Sequence, residues 1–352
     1  MSIKHSWLFG ATLQTALIFV YLIIIAGSVV RMTGSGMGCP DWPKCFGYYI
    51  PPTTATDLEW KPEHNYKKNQ VIIKHESLKV VKEDFTTTDT YAPKNWKAYT
   101  KHDYAHFNVV HTWIEYINRL LTALFGIPIL ILLGYGIYYF KEDKRYFLLS
   151  TTCLLFVAFE AWLGKVVVDS NLVPLKVTLH VLFVFFILAT LIKLYQIKFA
   201  SSLKEKLPKT LIYIGLGVIL ATMVQIIMGT QVRQYIDVQM IKNGYQNQAI
   251  WLSKPPLIFY IHRSFSILLI LLHAFWIYKL KPFKAFKKLS RSLALVIGLE
   301  IISGILLYYL DFPFLSQPLH LLLSSILFGI QFYLLICVIN YSTNKEVMPI
   351  DL

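Results

Sequence analysis

The chain has 352 residues, 55% of them hydrophobic and only 15% charged, with a mean hydropathy of +0.51. That balance excludes an ordinary water-soluble domain, in which about a quarter of residues carry charge. A formal net charge of +14 invites a nucleic-acid partner, but the short loops between apolar runs carry their Lys and Arg on one side, so no nucleic acid is expected and the charge is read as membrane topology, the long lysine-rich segment 33–106 falling outside a rule that is read on short loops.

Eight apolar runs approach or exceed the roughly 20 residues that cross a bilayer. They cover about 8–32, 107–140, 146–168, 176–199, 211–233, 256–280, 292–310 and 318–341. The expected fold is an all-α integral membrane protein with eight transmembrane helices arranged as two pseudo-symmetric four-helix bundles, 1–210 and 211–352. The first run is too long for a signal peptide and lacks a small-residue cleavage site, so it reads as a retained helix.

Run one closes on Gly27-Ser28-Val29-Val30-Arg31. Just beyond it, Cys39 and Cys45 flank Pro-Asp-Trp-Pro-Lys. A close pair on an oxidising face can form a disulfide, serving either as a structural brace or as an electron-accepting pair; two cysteines are too few for a closed zinc site. The segment 33–106 is expected to be partly ordered near the cysteines and more mobile from about 54 to 95, and nothing in it reads as a catalytic motif.

In run two, His111, Glu115 and Asn118 fall on one helical face, at spacings of four and three. Glu115 could relay protons or stabilise developing positive charge, or simply pair with Arg119 one turn on. Run three carries Glu160 and Gly164, and run four carries His180. Run five ends on Gly229-Thr230-Gln231-Val232-Arg233, answering the end of run one. Run six opens with Tyr260-Ile261-His262-Arg263, answering Tyr116-Ile117-Asn118-Arg119, with Phe259 where run two has Glu115. Runs seven and eight repeat the third and fourth: Glu300, Gly304 and His320 keep the twenty-residue spacing from glutamate to histidine. Glu160 and Glu300, being symmetric, read as shared architecture. His273 has no repeat partner and reads as a packing or interfacial residue, and Cys153 and Cys337 as inert core residues.

Loops 141–145, 200–210 and 281–291 carry Lys141, Lys144, Arg145, Lys204, Lys206, Lys209, Lys281, Lys284, Lys287, Lys288 and Arg291, whereas 169–175 and 311–317 carry no Lys or Arg and 234–255 only Lys242 and Lys254. This asymmetry places both termini in the cytoplasm. Four helices per repeat return the chain to its starting side, so the repeats run parallel. His180, His262 and His320 then lie within about 10 Å of the outer ends of inward-running helices, with Asn118 near that depth. Neutral imidazoles on neighbouring helices can hold a heme iron from both sides. Guanidinium groups suit heme propionates, which is the favoured role for Arg31, Arg233 and Arg263, with snorkelling to headgroups as the alternative.

Taken together, Gly27 to Gly47, the Glu115 to Arg119 segment, the three helical histidines and the paired halves resemble the heme A synthase family along essentially the whole chain. The resemblance implies a bacterial inner-membrane oxidoreductase that hydroxylates a methyl group of heme O twice and dehydrates the gem-diol to the formyl group of heme A. It implies a cofactor heme b on His262 and His320, a substrate pocket with His180 and Glu115, and correspondence of Cys39 and Cys45 with the family's external cysteine pair. The family commonly has Glu-x-x-His-Arg where this chain has Glu115-Tyr-Ile-Asn118-Arg119. Asparagine is a poor iron ligand, which leaves three readings: Asn118 hydrogen-bonds a water or the iron's sixth ligand, His111 substitutes, or the iron is held by His180 alone. Arg119 joins Asn118 and His111 at the expected pocket. Apolar helix faces toward membrane lipid would take the farnesyl tail. The electron donor and oligomeric state stay open, and heme O synthase is a natural supplier. Two rivals are a non-catalytic bis-histidine di-heme cytochrome b and a transporter; the first leaves Glu115 and Asn118 unexplained.

Overall fold

The computed structural model describes residues 6–102, 104–199 and 207–342. Lys204, Lys206 and both chain ends, on which part of the orientation argument rests, lie outside the described residues. The chain is an all-α multi-pass membrane protein. Its helices are α1 (Trp7–Met32), α2 (Val109–Tyr138), α3 (Lys144–Asp169), α4 (Pro174–Phe199), α5 (Thr210–Asn243), α6 (Leu257–Leu280), α7 (Lys287–Tyr309) and α8 (Ser316–Ser342). Each is long and apolar enough to cross a bilayer, where a helix satisfies its own backbone N–H and C=O groups.

Local chemistry sets the helix ends. Asn108 caps α2: its side-chain oxygen accepts the N–H groups of Val110 and His111. Pro174 occupies the first position of α4, where no N–H is needed. Gly244, at φ 87°, stops α5. The α3–α4 and α7–α8 turns share one backbone device. Asn171 and Leu172 are left-handed (φ 52° and 61°), as are Asp311 and Phe312 (φ 50° and 56°). Leu172 N–H bonds Val167 C=O, and Phe312 N–H bonds Leu307 C=O. The repeat therefore extends to a strained turn that four dissimilar side chains disguise.

Contacts group the chain into two compact units. One comprises Met1–Ile25, Leu124–Ala158 and Val181–Leu352. In it, α5 packs on α6 and α8, and α7 on α6 and α8. The other comprises Ala26–Ala123 and Phe159–His180.

Two expectations need correction. The segment expected to be mobile, 54–95, is built into sheets: β1 (Asn65–Tyr66) pairs with β4 (Phe85–Thr86), and β2 (Val71–Lys74), β3 (Ser77–Val81) and β5 (Trp96–Ala98) form an antiparallel sheet in the order β2-β3-β5. The period-two pattern explains it. Val71, Leu78 and Val80 pack with Cys39, Cys45, Phe46 and Leu58 on one face, while Ile72 and Val81 pack with Tyr66 and Trp96 on the other. The Thr-rich, lysine-dotted surroundings hid strands only two to five residues long. Second, the loop expected at 234–255 is shorter, because α5 runs on to Asn243. Its polar Arg233, Gln234, Asp237 and Gln239 end the apolar run without ending the helix. Ile236 and Met240, one turn apart, still bury against Trp251 and Phe312.

Candidate functional site

Four side chains at repeat-related positions each face a glycine on the preceding helix. A Cβ at Gly164 of α3 would stand 3.4 Å from the His180 ring of α4, one at Gly229 of α5 3.2 Å from His262 of α6, and one at Gly304 of α7 3.5 Å from His320 of α8. At the fourth position, Gly27 of α1 faces the Asn118 amide oxygen of α2, at 3.8 Å. The missing Cβ lets each ring lie close to a neighbouring helix. The glycines stand at fixed places in the repeated motifs, which was the available signal; their role as seats for the rings emerges only from helix pairing.

In the second repeat, His320 Nδ1 is 2.8 Å from Ser303 Oγ and 3.4 Å from Glu300 Oε1. His262 lies close enough to His320 to interact with it electrostatically. Its main-chain carbonyl accepts a 2.9 Å bond from Gln225 Nε2, and its buried Nδ1 has no protein partner. A histidine held through Nδ1 by a hydroxyl and a carboxylate presents Nε2 as a metal donor. His320 on α8 is held in this way and His262 on α6 is not; with buried orphan atoms at His262 Nδ1 and Glu300 Oε2, these two residues would suit the iron of a heme. Arg233 pairs with Asp237 at 2.9 Å and bonds Met240 Sδ, while exposed Arg263 lies over the rings of Phe259 and Tyr260. Arg31 is in the last turn of α1.

In the first repeat, His180 Nδ1 is 3.0 Å from Glu160 Oε1, without hydrogen-bond alignment. Glu160 and Glu300 thus both stand at the Nδ1 side of a candidate ligand, a role their symmetry alone did not reveal. Glu115 is buried and fully engaged: Oε1 accepts from Arg119, and Oε2 accepts the Cys39 N–H at 2.8 Å. Arg119 spends its remaining donors on the carbonyls of Cys39, Asp41 and Lys44. All five guanidinium N–H groups are thereby used, so the ion pair anticipated at i,i+4 is present. The Cys39–Cys45 disulfide is formed. Asp41 closes the same loop by accepting the N–H groups of Phe46 and Gly47. Burial holds its carboxyl above the usual range, against the pull of the Gly47 N–H and the Arg119 charge.

Thr112 Oγ1 donates to Gly38 C=O, and His111 contributes its backbone carbonyl to the close approach of Gly38. The His111 ring is partly exposed, in the first turn of α2. A Cβ at Gly38 would collide with the His111 carbonyl and the Thr112 nitrogen. Gly38→Ala is accordingly expected to destabilise this loop by about 1–3 kcal/mol, seen as faster limited proteolysis between α1 and α2 with the second-repeat histidines unaffected.

His273, in contrast, belongs to a separate buried network. Its Nδ1 bonds Leu269 C=O, and the Gln331 amide donates to its Nε2 and to Thr222 Oγ1. This corrects the interfacial alternative: His273 is 1% exposed.

Comparison with known proteins places these features in a family. The sequence profile of the cytochrome oxidase assembly proteins COX15-CtaA matches residues 11–332. The chain is 26% identical to a heme A synthase of Wolbachia pipientis subsp. Culex pipiens, over 94% of this chain and 96% of that protein. It is 25% identical to a heme A synthase of Bartonella quintana, over 95% and 91%. A heme A synthase of Shewanella oneidensis is 24% identical over 52% of this chain, a match spanning only 43% of that protein's length. With a match running from the second turn of α1 into the second half of α8, the chain belongs to the COX15-CtaA family of cytochrome oxidase assembly proteins.

Proposed function

We propose that this protein is a heme A synthase of a bacterial cell membrane, with both termini cytoplasmic, that oxidises the methyl group of heme O to the formyl group of heme A by successive hydroxylations. The observation that carries the reading is a broken symmetry. Both repeats seat a histidine against a glycine with a glutamate beside its Nδ1. Only the first puts a carboxylate, Glu115, one turn before the repeat position; the second has Phe259. Two like sites with one acid suit a pair of hemes with different work.

In this reading, the C-terminal repeat (211–352) holds heme b between His262 and His320, and that heme supplies electron transfer. The N-terminal repeat (1–210) holds heme O through His180, with Asn118, Arg119 and His111 around the pocket. Arg31, Arg233 and Arg263 serve propionates, Arg233 by exchanging its bond to Asp237. Glu115 acts on the substrate only by giving up one of its two present partners, and Oε2, held by a single neutral N–H, is the easier to release. Membrane lipid bounds the farnesyl tail, an external donor supplies electrons, and heme O synthase supplies substrate.

Co-expression with a source of heme O, followed by chromatography of extracted hemes, tests the reading. Heme A or its hydroxylated precursors are expected beside heme B. Heme B alone would identify an electron-transfer cytochrome instead.

A further inference from the structure

The four glycine-facing positions are three histidines and one asparagine. Gly27 and Gly229 open corresponding motifs on α1 and α5, and the side chains they face, Asn118 and His262, occupy corresponding positions on α2 and α6. Asn118 therefore stands where the repeat elsewhere places an imidazole. Its amide oxygen is buried and has no hydrogen-bond partner. A buried carbonyl oxygen left unpaired costs about 1–3 kcal/mol, which a bound group carrying a proton donor would recover. An amide oxygen is also a hard, weak donor beside imidazole for iron, and the asparagine side chain is shorter than histidine by roughly one bond.

We infer that the first-repeat site holds its substrate heme by His180 alone among protein side chains, leaving one axial position to a small exchangeable ligand that Asn118 receives by hydrogen bonding. This rests on the heme A synthase reading and adds to it a division by ligand number: two imidazoles where the heme stays, one where it is transformed and must leave. A singly held heme dissociates more readily, because release breaks one iron–protein bond. His111 does not restore the pair: it precedes Asn118 by seven residues, about 10 Å along α2, and its ring does not face a glycine seat.

The test is spectroscopic and independent of turnover. Full-length protein is purified with heme O supplied, reduced, and titrated with carbon monoxide. One of its two hemes is expected to be high-spin and to bind the gas, while the His262–His320 heme stays low-spin and silent. Asn118→His should convert the first heme to low-spin and lower its carbon monoxide affinity at least tenfold, and His180→Ala should remove that heme while leaving the low-spin one. Two low-spin, gas-silent hemes in the wild type would overturn the inference while sparing the functional reading, as would gas binding unaltered by Asn118→His in protein of normal thermal stability. A preparation that takes up heme b but no heme O overturns the inference and the functional reading together.

Discussion

Protein carrying alanine at both His262 and His320 is expected to purify without heme b, losing the low-spin Soret absorption of the second repeat. The two rings stand on α6 and α8, each against a glycine of the preceding helix, and among the described residues of that repeat no other histidine is so seated. In the proposed site, losing both would remove both imidazole donors, whereas either single alanine would leave a one-sided, more exchangeable heme. A finer arm of the same experiment addresses the Nδ1 side. Ser303→Ala deletes the 2.8 Å partner of His320 Nδ1 but leaves Glu300 nearby. Removing such a supporting group typically costs about 10–100-fold in metal affinity, so heme b retention should fall by that order after dilution and re-isolation. Full retention in the double alanine variant would place the heme elsewhere. Retention in Ser303→Ala would show that Glu300 alone orients the ring.

The second large effect is at Glu115. Glu115→Ala removes the partner of Arg119 and the acceptor of the Cys39 N–H together. Breaking a buried ion pair by deleting one member costs about 3–5 kcal/mol, because the remaining charge stays buried. Arg119 would keep its three loop carbonyls, so the expected outcome is a loosened Cys39–Cys45 loop in a chain whose helices still insert. Glu115→Gln separates the roles of this residue. Glutamine keeps one acceptor oxygen, enough for Arg119 or for the Cys39 N–H but not for both, so it should lose less of the loop's thermal stability than alanine does, and it cannot carry a proton as a carboxylate does. Formylated heme lost in both variants, with the larger loss of stability in alanine, assigns Glu115 to the chemistry. Normal product from the glutamine variant would leave it as the anchor of the disulfide loop.

Sequence alone determined the eight spans, because each must bury some twenty apolar residues whatever its neighbours do. It also determined the repeat and nearly every candidate ligand, since costly polar groups in apolar helices stand out one by one: His180, His262, His320, Glu160 and Glu300 needed no contact map. Glu115 and Arg119 were visible as a pair at i,i+4, but not as the clamp on a loop some seventy-five to eighty residues distant in sequence. The sheets within 65–98 escaped because a strand of two to five residues is defined by its pairing partner, not by its own pattern. The end of α5 escaped because a helix can outlast its apolar stripe when two residues, Ile236 and Met240, still find a core. Which glycine receives which ring, and which glutamate stands behind which histidine, was decided by tertiary structure alone, because those relations join different helices and depend on how closely two backbones approach.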